Sequence, residues 1–156
     1  MRILFVCLGN ICRSPTAEAV MRGLIADAGL EDEVDVESAG TGDWHIGSTP
    51  DRRSVAAAAD RGLELTGSAR QVTAADFERF DLLIAMDRFN RDDLLAMAPD
   101  AAAESRVRML REFGDHAELD VPDPYDGGAN GFAEVVEIVE RNSSALLEEI
   151  RAGRLA

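Results

Sequence analysis

Cysteine is almost missing from this chain: 156 residues hold two, Cys7 and Cys12, both within the first dozen. A secreted disulfide scaffold spreads its cysteines along the sequence, so this usage fits a reducing compartment. Aromatic residues are scarce too, and Trp44 and Tyr125 are the sole representatives of their types. The two histidines, His45 and His116, have no partner at a spacing that suggests a metal site or a triad, and they read as surface loop residues. No apolar run approaches the roughly 18 residues of a membrane span. The opening MRILFVCLGN has one charge, but its apolar stretch is too short for a signal-peptide core. Positive charge is also in deficit, with 16 Lys plus Arg against 30 Asp plus Glu and a net charge of −14. Such a field repels nucleic acid and anionic membranes, which excludes both as expected partners and favours a monomer. Together these absences predict a cytoplasmic chain, although leaderless export is compatible with the same features. An anionic ligand could bind only where a local cluster of donors overcomes the field.

What is present alternates. Arg2–Val6 is a short apolar run of the kind buried on both faces of a parallel sheet. Ala17, Val20, Met21, Leu24, Ile25 and Ala28 form one helical stripe, closed by Gly29. Val34–Ser38 alternates as a strand and runs into the glycine-rich SAGTG. Further on, Arg52–Arg61 reads as a helix, Asp81–Met86 as a strand, Asn90–Ala98 as a helix and Arg106–Leu110 as a weaker strand. Phe132, Val135, Val136, Val139, Leu146, Leu147 and Ile150 share a face of a final helix. The expectation is an α/β three-layer sandwich, a four-stranded parallel sheet with helices on both faces, in a single domain over residues 1–156. Two irregular stretches, Gly40–Pro50 and Glu112–Gly131, are long enough to build a site. Ligands of open parallel sheets sit beyond the carboxyl ends of the strands, which directs attention to the loop after the first strand.

That loop reads CLGNICRS, and its helix is predicted to start with Ser14 as N-cap and Pro15 as first helical residue. Gly9 and Asn10 accept positive φ most readily, so the loop can turn several backbone N–H groups toward one point. With the helix N-terminus they would cradle a tetrahedral anion, and Arg13 would add a bidentate clamp. Cys7, on the floor, would then be favoured as a thiolate and placed as an in-line nucleophile toward a bound phosphoryl group. Backbone donors and Arg13 would carry the transition-state charge, so neither metal nor cofactor is expected. Taken singly, Cys7 is equally well read as a packing residue, because C-x(5)-R is common by chance. The strand before it and the Gly-Asn, Ser-Pro and amphipathic helix after it are what favour the phosphate reading. Neither a Walker loop nor a G-x-G-x-x-G fingerprint is present.

VCLGNICRSPTAE near the start and DPYDGG near the end resemble the low-molecular-weight protein tyrosine phosphatases. The likeness continues through ESAGTGDWHIG and RGLELTGSARQVTAADFERFDLLIAMD and so covers nearly the whole chain. It implies Cys7 as nucleophile, Arg13 as phosphate clamp and Asp123 as general acid, then base. It further implies substrate contacts from Leu8, Gly9, Asn10, Ile11, Cys12 and Ser14, with Trp44 and Tyr125 as walls around an aromatic ring. Asn10 would hold the loop through Ser14 and Ser38, and Ser14 would ease departure of the Cys7 sulfur. A tyrosine-phosphorylated protein would be the substrate and inorganic phosphate the product, with opposite protonation demands on Cys7 and Asp123 giving a bell-shaped, acidic pH profile. Cys12 would capture an oxidised Cys7 as a disulfide; from the residues alone it is equally a small buried filler. Likewise Asp120 and Asp126 share a loop with Asp123, an Asp-Pro pair is common turn chemistry, and Trp44 and Tyr125 could simply pack in the core.

Two departures and two rivals complete the reading. Asp126 stands where many members carry a second tyrosine, and Gly67 where some carry a histidine that supports the loop network. Arsenate reductases share the loop but need cysteines downstream, and none follows Cys12. Protein-arginine phosphatases typically carry threonine where this chain has Ile11, which ranks them second. From a different class, a phosphopeptide-binding module would lack Cys7, Arg13 or Asp123, and all three are present.

Overall fold

Strand β1, Arg2–Cys7, is the centre of the molecule, and from Ile3 to Cys7 each of its residues is buried. In the computed structural model, which describes residues 1–155, it pairs in parallel with β2 (Asp35–Gly40) on one side and β3 (Leu82–Ala85) on the other. β4 (Val107–Met109) adds to β3, giving the order β2-β1-β3-β4. Every pairing is parallel, so each crossover must carry its chain back along the sheet, and helices fill that role. The connection from β1 leads to one neighbour, and the chain returns later to the other. The carboxyl end of β1 therefore faces the crevice where ligands of such sheets bind.

Alternation along β1 divides the interior in two. Ile3, Phe5 and Cys7 face a layer containing Val20, Met21 and Ile25 of α1 (Arg13–Asp27) and Val135, Val139 and Leu146 of α6 (Ala129–Arg151). Leu4 and Val6 face Phe77 of α3 (Asp76–Arg79), Phe80, Leu94 of α4 (Arg88–Met97) and Ala103 of α5 (Ala101–Glu104). Burial on both faces is why β1 and β3 read as unbroken apolar runs. α2 (Arg52–Ala59) packs against α6 on the first side.

The three-layer α/β expectation holds, with differences at several boundaries. β2 runs to Gly40, beyond Ser38, because pairing with Cys7 continues where side-chain alternation has faded. Helices α3 and α5 have four residues each, too few for a periodic signal. The start of α1 corrects an expectation: Arg13 is already helical and Cys12 is the N-cap, with no side-chain cap. Ser14 lies inside the first turn, and its hydroxyl turns back into the loop instead. Among the described residues no helix is long and apolar enough to cross a membrane.

Candidate active site

Register places the ingredients. Cys7 lies opposite Gly40, and Val6 opposite Ala85, so the ends of β1, β2 and β3 open onto one spot. Gly40 lets the loop cross there: a Cβ at this position would lie 2.7 Å from the Leu8 carbonyl oxygen, a backbone clash. The crossing is tied by Thr41 N–H to Cys7 C=O and Gly42 N–H to Leu8 C=O, each at 2.9 Å.

Within the loop, Asn10 has φ +57°, one of two non-glycine residues in the left-handed region among the described residues. Its side chain compensates for that conformation. Nδ2 donates to Ser14 Oγ at 2.8 Å and to Ser38 Oγ at 3.0 Å, while Oδ1 accepts from Arg70 N–H at 3.0 Å. Ser38 in turn donates to Glu18 Oε1 at 2.7 Å. Asn10 and Ser14 are buried, so the network is shielded from competing water.

The curled loop aims two groups at the Cys7 sulfur: Asn10 N–H at 3.3 Å and Ser14 Oγ at 3.0 Å. Both stabilise negative charge on sulfur when they donate. Among the described residues, the amides of Gly9, Ile11, Cys12 and Arg13 donate to no protein acceptor. Four backbone donors at a helix start next to a thiol are the makings of an anion cradle.

Arg13, only 3% exposed, is held by its Nη1, which donates to Asp87 Oδ2 at 2.6 Å and to the Val121 carbonyl at 3.0 Å. Burial opposes the charge, but Cys7, Asp87 and Asp123 outweigh it and lift the guanidinium above its ordinary pKa. Nη2 lies 3.7 Å from Asp123 Oδ2, on the side facing the cavity. Asp123 Oδ1 also accepts from Tyr125 N–H at 3.0 Å.

A cavity of about 280 Å³ opens above the loop, lined by Cys7, Ile11, Arg13, Trp44, Asp123 and Tyr125 among others. Trp44 and Tyr125 are 70% and 44% exposed, so neither is a core residue. A slot of this size flanked by two rings suits a single aryl group. The structure thus brings together Cys7, Leu8, Gly9, Ile11, Cys12, Arg13, Trp44, Asp123 and Tyr125 at one cavity, with Asn10, Ser14 and Ser38 behind the loop. Cys12 and Cys7 are both free thiols. Burial pushes the Cys12 thiol up to about 11, which a Ser54 hydrogen bond only partly offsets. Among the described residues no group of three or more His, Cys, Asp or Glu is arranged to hold a metal ion.

A family model described as low molecular weight phosphotyrosine protein phosphatase matches residues 2–155. The chain belongs to this family. It is similar to the low molecular weight protein-tyrosine-phosphatase of Streptomyces coelicolor, 46% identical over 153 residues that cover 96% of this chain and 93% of that one. Among solved structures, a protein tyrosine phosphatase from Entamoeba histolytica with Hepes in its active site superposes with TM-score 0.95 at 38% identity, covering 99% of both chains. The structure named as the YwlE arginine phosphatase also shares the fold, at TM-score 0.89 and 26% identity over the whole of both chains.

Three residues of this family member's site escape sequence reasoning. Asp87 is the partner of Arg13, yet 74 positions separate them, and locally it reads as the α4 N-cap, which it also is. Arg88 binds Asp120 and so removes one of three rival carboxylates. Burial would raise the Asp120 carboxyl, but the side-chain and main-chain donors of Arg88 hold it below the carboxylate range. His45 corrects an expectation: it is not a free surface residue but is half-buried, lines the cavity and packs on Gly9, where a Cβ would meet its ring at 2.9 Å. Its neighbour Trp44 was the only hint.

Proposed function

We propose that this chain hydrolyses phosphotyrosine monoesters in proteins, and small aryl phosphates, through a cysteinyl-phosphate intermediate. One observation carries the reading: a loop with four unpartnered amides sets Asn10 N–H and Ser14 Oγ on the Cys7 sulfur, at a cavity that also holds Arg13 and Asp123.

The phosphoryl oxygens occupy the ring of amides, and the outer face of Arg13 binds two of them. Sulfur attacks phosphorus in line; the S–P bond forms as the P–O bond to the phenol breaks. Asp123 gives its proton to the departing oxygen, a contribution of about 100-fold or more for a well-placed acid. The incoming dianion displaces Asp123 from Arg13, which frees the carboxyl to face the leaving oxygen. In the second step the Asp123 carboxylate takes a proton from water as that water attacks phosphorus. The P–S bond breaks, the Ser14 hydroxyl donates to the leaving sulfur, and inorganic phosphate departs. Trp44 and Tyr125 grip the ring meanwhile, and the loop amides from Leu8 to Arg13 hold the anion.

The same reading includes Cys12 as the thiol that captures an oxidised Cys7. Recovery of activity by added thiol after peroxide treatment tests this. It treats residues 1–156 as one domain acting as a cytoplasmic monomer, with a phosphoprotein as substrate and no nucleic acid, membrane or cofactor as partner.

The decisive experiment is turnover of p-nitrophenyl phosphate with EDTA present, by the native chain and by Cys7→Ser. Loss of about a million-fold, the scale seen when a nucleophile is removed, with phosphate binding retained, is the expected outcome. An undiminished rate for the variant would mean another nucleophile. Phosphotyrosine, phosphoserine and phosphoarginine peptides assayed in parallel distinguish the tyrosine from the arginine reading.

A further inference from the structure

We propose that Arg88 and Asp120 form an anchor that positions Asp123 over the bound substrate, so that the N-cap and the first residue of α4 align both halves of the site. This rests on the assignment of Asp123 as general acid.

The segment that carries Asp123 is fastened at two residues. Asp120 accepts from Arg88 N–H at 2.9 Å and from the Arg88 guanidinium through both carboxylate oxygens, at 3.1 to 3.3 Å. The Asp120 carbonyl accepts from Arg111 Nη1 at 2.6 Å. Val121 N–H donates to the Met86 carbonyl at 2.8 Å, and the Val121 carbonyl accepts from Arg13. Beyond this point the segment is stiff. Prolines 122 and 124 fix φ on either side of Asp123, and the Asp123 carboxylate closes a turn onto Tyr125 N–H. A stiff unit on a two-residue anchor transmits the orientation of that anchor with little slack.

Adjacent residues at the start of α4, its N-cap Asp87 and its first residue Arg88, thereby serve opposite sides of the substrate. Asp87 fixes Arg13, which meets the phosphoryl group, and Arg88 fixes Asp120, which sets where the acid reaches the leaving oxygen. Stability is a poor account of the second pair. Arg88 is 62% exposed and Asp120 27%, and exposed ion pairs contribute little to stability. Geometry is the better account, because misplacement of a catalytic group by about 1 Å can cost up to 100-fold. Arg88 and Asp120 are positioning residues in this scheme, since neither touches the reacting atoms.

The test compares kcat/KM for phenyl phosphate and p-nitrophenyl phosphate, since a poorer leaving group depends more on its proton donor. Arg88→Ala and Asp120→Ala are each expected to lose about tenfold on phenyl phosphate, with a loss several times smaller on p-nitrophenyl phosphate. Inhibition by inorganic phosphate should stay within about twofold, because the cradle and Arg13 are untouched. Added to Asp123→Asn, either substitution should cost nothing more, as the group it positions is already gone. Equal losses on both substrates, no loss, or a further loss on top of Asp123→Asn would each overturn the proposal. If Asp123→Asn itself shows no leaving-group dependence, the acid assignment fails first and takes this inference with it. Should Asp120→Ala not fold, Arg88→Ala and Arg88→Lys, altered only at an exposed side chain, provide the same comparison.

Discussion

The loop Leu8–Ser14 and the segment Glu118–Gly128 face each other across one cavity but are held in opposite ways. The first is locked from behind by buried groups, with Asn10 bonded to Ser14, Ser38 and the Arg70 amide. The second is fastened at Asp120 and Val121, and Asp123 beyond them is 47% exposed. In the proposed mechanism the difference follows from what each must do. A cradle for developing charge works best when its donors are already oriented, because reorganisation then costs nothing at the moment of reaction. A proton donor must change partners, from Arg13 in the free protein to an oxygen that exists only when substrate is present, and it needs to be reachable.

The largest effect should come from breaking the rigid side. Arg13→Lys keeps the charge but loses the planar fork that serves Asp87, Val121 and the anion together. Phosphatase activity should fall on the order of 1,000-fold, with weaker inhibition by phosphate. A loss below about tenfold would mean that the backbone amides alone carry the anion. On the reachable side, Asp123→Asn should cost about 100-fold on phenyl phosphate and flatten one limb of the pH–rate profile, with phosphate inhibition little changed. Equal sensitivity of the phosphate constant to both substitutions would erase the distinction between clamp and acid.

Asn10 probes the lock itself. Asn10→Ala removes three side-chain hydrogen bonds and leaves alanine at φ +57°, where L-residues other than Asn and Gly are strained by about 1–2 kcal/mol. The expected result is a stability loss of about 2–4 kcal/mol and a rate loss of about tenfold. Asn10→Gly relieves the strain without restoring the bonds. If it recovers full activity, the polar network is dispensable and the turn is all that counts.

How far the sequence was readable follows the same division. β1, α1 and the loop between them were legible because a buried run, an amphipathic stripe and C-x(5)-R-S-P are all local patterns. Ser14 reads as an N-cap under a rule that expects a side chain to satisfy the first-turn amides. Here several of those amides have no protein acceptor, and the hydroxyl serves the sulfur. Asp87, Arg88 and His45 were illegible for a different reason. Their partners Arg13, Asp120 and Gly9 lie 32 or more positions away, and no periodicity records a contact of that kind. Three aspartates in one loop are indistinguishable from the residues alone until the fold sets Arg88 beside Asp120 and Arg13 beside Asp123.

The smallest effect concerns the residues that lead into the second segment. Asp115 accepts from Arg141, Arg111 and the Asn142 side chain, while Asn142 Oδ1 accepts from the Gly114 and Asp115 amides. Arg141 most of all, with Asn142 and Arg111, outweighs burial and holds the Asp115 carboxyl far below its ordinary range. A carboxyl whose pKa is lower folded than unfolded contributes stability above the unfolded value of about 3.9 that is lost as pH falls further. Asp115→Asn should therefore cost about 2 kcal/mol at neutral pH, and its deficit should shrink as pH drops from about 4 toward 2. Unfolding curves of both proteins across that range measure it. Hydrogen exchange should show residues 114–121 losing protection in acid before the Cys7 loop does, because Asn10, Ser14 and Ser38 titrate nothing. Simultaneous loss would mean that the two sides of the cavity unfold as one unit, and that their different fastenings matter only for the chemistry.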